Sequence, residues 1–140
     1  MFIFLKKKNK EEVKISLINI TSLLVHAARI DENYTEKERN IIRKTIIELS
    51  SKNEMIEDIL EKAEKIEGNS HHILNFTKEI KNLDENSKIK IIETLWKIIY
   101  SDNIPDMYES SLMRKLTGLL YLDNKIVGDL KEKVKNNLKK

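Results

Sequence analysis

The chain has no cysteine, which excludes disulfide frameworks, thiolate metal sites and cysteine nucleophiles. Nothing in it needs an oxidising compartment, so a cytoplasmic setting is the expectation. One proline and three glycines in 140 residues leave few turn signals of the kind that punctuate strands. No apolar run approaches the roughly 20 residues of a membrane-spanning helix; the stretch from Ile89 to Tyr100 is broken by Lys90, Glu93 and Lys97. The opening Met1-Phe2-Ile3-Phe4-Leu5 precedes its lysines and is too short for a signal-peptide core. Gly-rich phosphate loops, nucleophile elbows and Ser–His–Asp patterns are also missing, so no catalytic residue is assigned and no enzyme is expected.

What is present is charge and helix-forming residues. The net charge of +3 is unevenly spread. Residues 1–10 and 131–140 carry +4 each, which leaves −5 on residues 11–130. An acidic body with basic ends lacks the basic face of a nucleic-acid binder. Residues 1–10 read as an apolar and basic arm and residues 11–140 as one helical domain, the right size for a single core. The arm either lies on that core or makes a weak membrane-surface contact through Phe2 and Phe4, with Lys6, Lys7 and Lys8 at the headgroups.

Apolar periodicity predicts an all-α bundle of about seven helices. The first runs from about Glu11 to Ile30 on Leu17, Ile20, Leu24, Ala27 and Ala28. The second begins at Thr35 and ends near Ser50, with Ile42, Ile46 and Leu49 inward. The third carries Ile56, Ile59, Leu60, Ala63 and Ile66 and closes at Glu67-Gly68-Asn69, with Gly68 as its stop. A short fourth helix runs from Ser70 to about Leu83. The fifth follows a cap offered by Asp84-Glu85-Asn86-Ser87 and runs through Leu95 and Trp96, and the sixth follows Asp106 through Leu116 and Leu120. The seventh follows Asp123.

A shift of 71 residues superposes Leu24 on Leu95, Asp31 on Asp102, Glu38 on Glu109, Arg43-Lys44 on Arg114-Lys115 and Leu49 on Leu120. The matches cluster around one helix–turn–helix boundary. They predict two helix–acidic turn–helix hairpins related by a pseudo-twofold axis.

These residues also carry a resemblance. Ala28-Arg29-Ile30-Asp31-Glu32 through Glu38, and Tyr100-Ser101-Asp102-Asn103 through Glu109, place Glu seven residues after an Asp at the end of a helix, twice. Over roughly residues 11–135 the chain resembles the TerB (tellurite-resistance B) family, whose fold also occurs in the N-terminal domain of a DnaJ-like co-chaperone. The resemblance implies a stress or tellurite-resistance response, with metal binding through acidic residues. Glu32 and Asn103 stand where the family has glycine after each Asp, and Asn suits left-handed backbone better than Glu does.

Asp31, Glu38, Asp102 and Glu109 are therefore the candidate metal ligands, with Ca²⁺, Mg²⁺ or Mn²⁺ as the divalent cation their hard oxygens suit. The competing reading is structural: Thr35-x-x-Glu38 and Asp106-x-x-Glu109 are capping boxes, and both Asp residues can form Asx turns. Asp31-x-Asn33-x-Thr35 opens like an EF-hand loop, but it has no glycine at the sixth position and Ile42 at the twelfth, which excludes that loop. His71 and His72 diverge by about 100° on a helix and share no ion easily. Arg43-Lys44 and Arg114-Lys115 are expected to offset the nearby acidic turns or to make surface ion pairs. The expectation is a non-enzymatic binding module with a protein partner and a divalent ion. The alternative is a structural scaffold whose arm touches membrane.

Overall fold

The computed structural model describes residues 10–30, 34–50, 56–68, 77, 78, 80–101 and 107–138. Among them the secondary structure is all helical: α1 Lys10–Arg29, α2 Glu36–Ser50, α3 Ile56–Gly68, α4 Glu85–Tyr100, α5 Met107–Leu119 and α6 Asn124–Leu138. The expected fourth helix is seen only at its end, where Thr77, Lys78 and Ile80 are helical and the Lys81 N–H donates to the Thr77 carbonyl at 3.0 Å. Its remainder lies outside the described residues, as do the arm through residue 9 and the caps sought at Ser70 and Asp106.

Three helix starts follow from their sequences. Thr35 and Glu38 form a reciprocal capping box: the Glu38 N–H donates to Thr35 Oγ1 at 3.1 Å and the Thr35 N–H donates to Glu38 Oε1 at 2.8 Å. Asp84 caps α4 by accepting from the Ser87 N–H at 3.2 Å and from its hydroxyl at 2.5 Å. Asp123 accepts from the Lys125 N–H at 2.8 Å and starts α6. The end of α5 is a Schellman turn, in which the Leu122 N–H reaches the Thr117 carbonyl at 3.1 Å and the Tyr121 N–H the Gly118 carbonyl at 3.2 Å. Tyr121 occupies the left-handed position of that turn, with φ at 55°.

The core is aliphatic and runs through all six helices. Leu24, Ile42, Leu49, Leu60, Ile91, Leu95 and Leu116 have no exposed surface. α1 packs most extensively on α3 and α4 on α6, while α1 and α4 also pack against each other. The 71-residue spacing extends to two helix ends: α1 stops at Arg29 and α4 at Tyr100. Burial keeps the same phase. Ile20, Thr21, Leu23, Leu24, Val25, Ala27 and Ala28 are buried, and so are Ile91, Ile92, Thr94, Leu95, Trp96, Ile98 and Ile99. Trp96 is core, as its position in α4 suggests, and its Nε1–H donates to the Val127 carbonyl of α6 at 3.1 Å.

The end of α3 differs from expectation. Ile66 was expected on its inner stripe and is 41% exposed, whereas Glu67 beside it is buried. Gly68 is the last described residue of α3 and its φ is not positive, so it is no left-handed stop. Arg29 and His26 of α1 meet the Glu67 carboxylate at 2.6 and 3.3 Å, which satisfies it in its inward position.

Candidate functional site

The polar residues around the first acidic turn form one connected network. Tyr34 stands between α1 and α2, and its hydroxyl donates to Glu64 Oε2 of α3 at 2.6 Å. The Arg39 fork of α2 grips the same carboxylate, Nε to Oε2 at 2.8 Å and Nη2 to Oε1 at 3.2 Å. Arg29, the last residue of α1, donates to Glu67 Oε1 at 2.6 Å and to the Glu64 carbonyl at 3.0 Å, with its guanidinium 5.1 Å from the Tyr34 ring centroid. His26 Nδ1 lies 3.3 Å from Glu67 Oε2. Two carboxylates of α3 thus clamp both helices that flank residues 31–33.

Electrostatics follow from this packing. Burial first, and then the hydrogen bond to Glu64, push the Tyr34 phenol well above its ordinary value. Further along α2, Arg43 bridges Glu57 at 2.8 Å and Glu36 at 2.9 Å. Its hydrogen bonds hold both carboxyls below the usual range. Arg43 thus makes surface ion pairs, one of the two roles its sequence suggests.

Of the four candidate ligands, Glu38 is described in full. It is 2% exposed, and its Oε1 accepts from both the Thr35 N–H and the Thr35 hydroxyl, the latter at 3.1 Å. The capping alternative is therefore real for this residue. Asp31, Asp102 and the Glu109 side chain lie outside the described residues. Lys37, next to Glu38, reaches across to the Ser101 carbonyl at 3.3 Å, so the segments flanking the two acidic turns are within one lysine's span. Among the described residues no three His, Asp or Glu side chains converge in a metal-binding group, and no helix is long and apolar enough to cross a membrane.

Sequence reading missed Glu64, Glu67, Arg39 and Tyr34 as a unit. The one local signal was the surplus of acids on α3, where Glu57, Glu64 and Glu67 are spaced to share partners on its neighbours.

A second polar cluster ties α4 to α6 and α2. Glu93 of α4 accepts from Lys133 at 2.9 Å, with Lys97 at 3.5 Å and Lys90 at 3.6 Å. Burial opposes its ionisation, but the Lys133 hydrogen bond and the three ammonium charges win and bring its carboxyl below the ordinary value. Lys90 also pairs with Glu48 of α2.

Among the described residues the domain is all helical, and a capping box starts the helix that follows the first acidic segment. The chain belongs to the TerB family: the family model described as "Tellurite resistance protein TerB" matches residues 17–132, most of its length. No curated protein and no solved structure matches it significantly.

Proposed function

We propose that this chain is a non-enzymatic TerB module of the cytoplasm that works by binding. It takes a divalent cation at its acidic turns and a protein partner on its surface, within a tellurite-resistance or stress response. The observation that carries this reading is the family match over residues 17–132, which includes both turns.

Asp31, Asp102 and Glu109 would supply hard oxygen donors of the kind Ca²⁺, Mg²⁺ or Mn²⁺ prefers. Glu38 holds the first turn in shape, since direct ligation through Oε1 would break its capping box. Support for one shared site comes from the Lys37–Ser101 hydrogen bond between the two turn segments. The 71-residue recurrence of helix ends and buried positions supports two hairpins related by a pseudo-twofold axis. The helical residues Thr77, Lys78 and Ile80 support a seventh helix.

Native mass spectrometry of protein purified without chelator tests the ion directly. Wild type is expected to carry a divalent-ion increment that chelator removes and that Asp31→Asn and Asp102→Asn lack. Calorimetry showing no ion uptake by wild type would overturn the metal reading and leave the turns as structural caps.

A further inference from the structure

Tyr121 is the one non-glycine residue with positive φ among the described residues, at 55°. Glycine is the usual occupant of that Schellman position, because a Cβ there is disfavoured. The ring does not offset this by packing inside the chain, since Tyr121 is 77% exposed. The fold therefore has no use for a tyrosine here, and a strained residue without a structural return points to a surface role.

Its surroundings supply one. Tyr121 lines a groove of about 330 Å³ together with Thr77, Lys78, Lys81, Gly118 and Leu119. That volume lies at the small end of ligand clefts and accepts one or two side chains. Nothing lies within 4 Å of where a Gly118 Cβ would stand, so bare backbone leaves the floor open and no internal contact demands it. Lys78 and Lys81 are exposed and form no ion pair with a described residue, unlike the lysines gathered around Glu93. The Lys88 ammonium donates at 2.9 Å to the carbonyl of Leu120, the residue before Tyr121. This basic spot sits on a body whose residues 11–130 carry −5, which disfavours extended polyanions such as nucleic acid or anionic membrane.

We propose that the groove docks a short acidic segment of a protein partner. One apolar side chain of that segment seats against Leu119 and the Tyr121 ring, while its carboxylates meet Lys78 and Lys81. The inference rests on the partner-binding reading above and gives that partner its chemistry.

The test is selection of displayed random peptides on the full chain, followed by fluorescence anisotropy of the enriched peptides. Enriched sequences should be acid-rich with a Leu or aromatic residue. Their affinity should fall about tenfold in the Lys78→Glu/Lys81→Glu variant, the sum of two exposed charge contacts reversed. It should fall severalfold in Tyr121→Gly, which should itself melt above wild type because glycine suits the turn. Peptides without acidic bias would overturn the inference. So would binding that both variants retain, which would move docking elsewhere and leave the partner reading standing. Failure to enrich any peptide would sink both. Self-association lost in Tyr121→Gly would make a second copy the occupant, and phosphatidylserine vesicles bound by wild type but not by the charge-reversed variant would make it a membrane. Either result overturns the proposal.

Discussion

Replacing Glu64 by Gln tests whether the clamp beside the first acidic turn holds α3 to α2 and to Tyr34. The carboxylate accepts one hydrogen bond from Tyr34 and two from the Arg39 fork, at 2.6, 2.8 and 3.2 Å. A hydrogen bond to a charged group contributes about 1.5–3 kcal/mol when well shielded. Here the Glu64 and Arg39 side chains are 17% and 27% exposed, so solvent weakens the pair. Glutamine keeps one acceptor oxygen but loses the charge, and its amide N–H₂ meets the guanidinium donors unfavourably. The expected loss is about 1–2 kcal/mol, or roughly 3–8 °C in Tm for a domain of this size. Urea unfolding followed by circular dichroism gives the number, with Lys62→Ala as the comparison. The Lys62–Asp58 pair is about half exposed on both sides and should be worth under about 0.5 kcal/mol. A double-mutant cycle with Tyr34→Phe should return a coupling above about 0.5 kcal/mol. If Glu64→Gln shifts stability no more than Lys62→Ala does, the clamp is decoration and the reasoning fails.

Thr35→Ala should cost about 0.5–2 kcal/mol with chelator present, because the capping box acts without any ion; an unchanged urea midpoint would refute it. The raised Tyr34 phenol keeps its proton in the folded chain after the unfolded chain begins to lose it near pH 10. Its contribution is thus complete below about pH 10 and is lost as pH climbs further, so Tyr34→Phe should flatten that part of a stability–pH curve measured by urea midpoints. Glu93 has the opposite sign, since its lowered carboxyl contributes fully above about pH 4.3 and loses that contribution as pH falls through the folded value. Glu93→Gln should therefore lower stability at pH 7 and reduce its acid dependence, and equal acid slopes in the two proteins would contradict this.

Local chemistry made several elements legible before any coordinates. Asp84, Asp123 and Thr35 announce helix starts because a cap depends on atoms two or three residues away. The Leu24 and Leu95 stripes are readable for a similar reason, since helical periodicity is a local property. The α3 clamp was not legible, because Glu67 and Arg29 meet across 38 residues and Glu64 and Arg39 across 25. No window of sequence contains both partners. With that same long-range pairing, Ile66 faces outward and Glu67 inward, against the apolar pattern. Of the candidate ligands, the sequence offered Glu38 two roles, and the geometry shows its Oε1 in the capping box. Tyr121 was invisible for the opposite reason, since tyrosine is a poor predictor of a left-handed turn that favours glycine.

The single tryptophan has a consequence for anyone who unfolds this protein. Trp96 lies between α4 and α6, with its indole N–H on the Val127 carbonyl and the Lys131 ammonium 5.5 Å from its ring centroid. Its emission therefore watches one half of the molecule, while circular dichroism averages over every helix. Superimposable curves from the two probes would mean that the whole bundle gives way together as one cooperative body. Curves that separate would mean that the α4–α6 side and the rest of the bundle melt in different steps, and the lone indole would say which goes first.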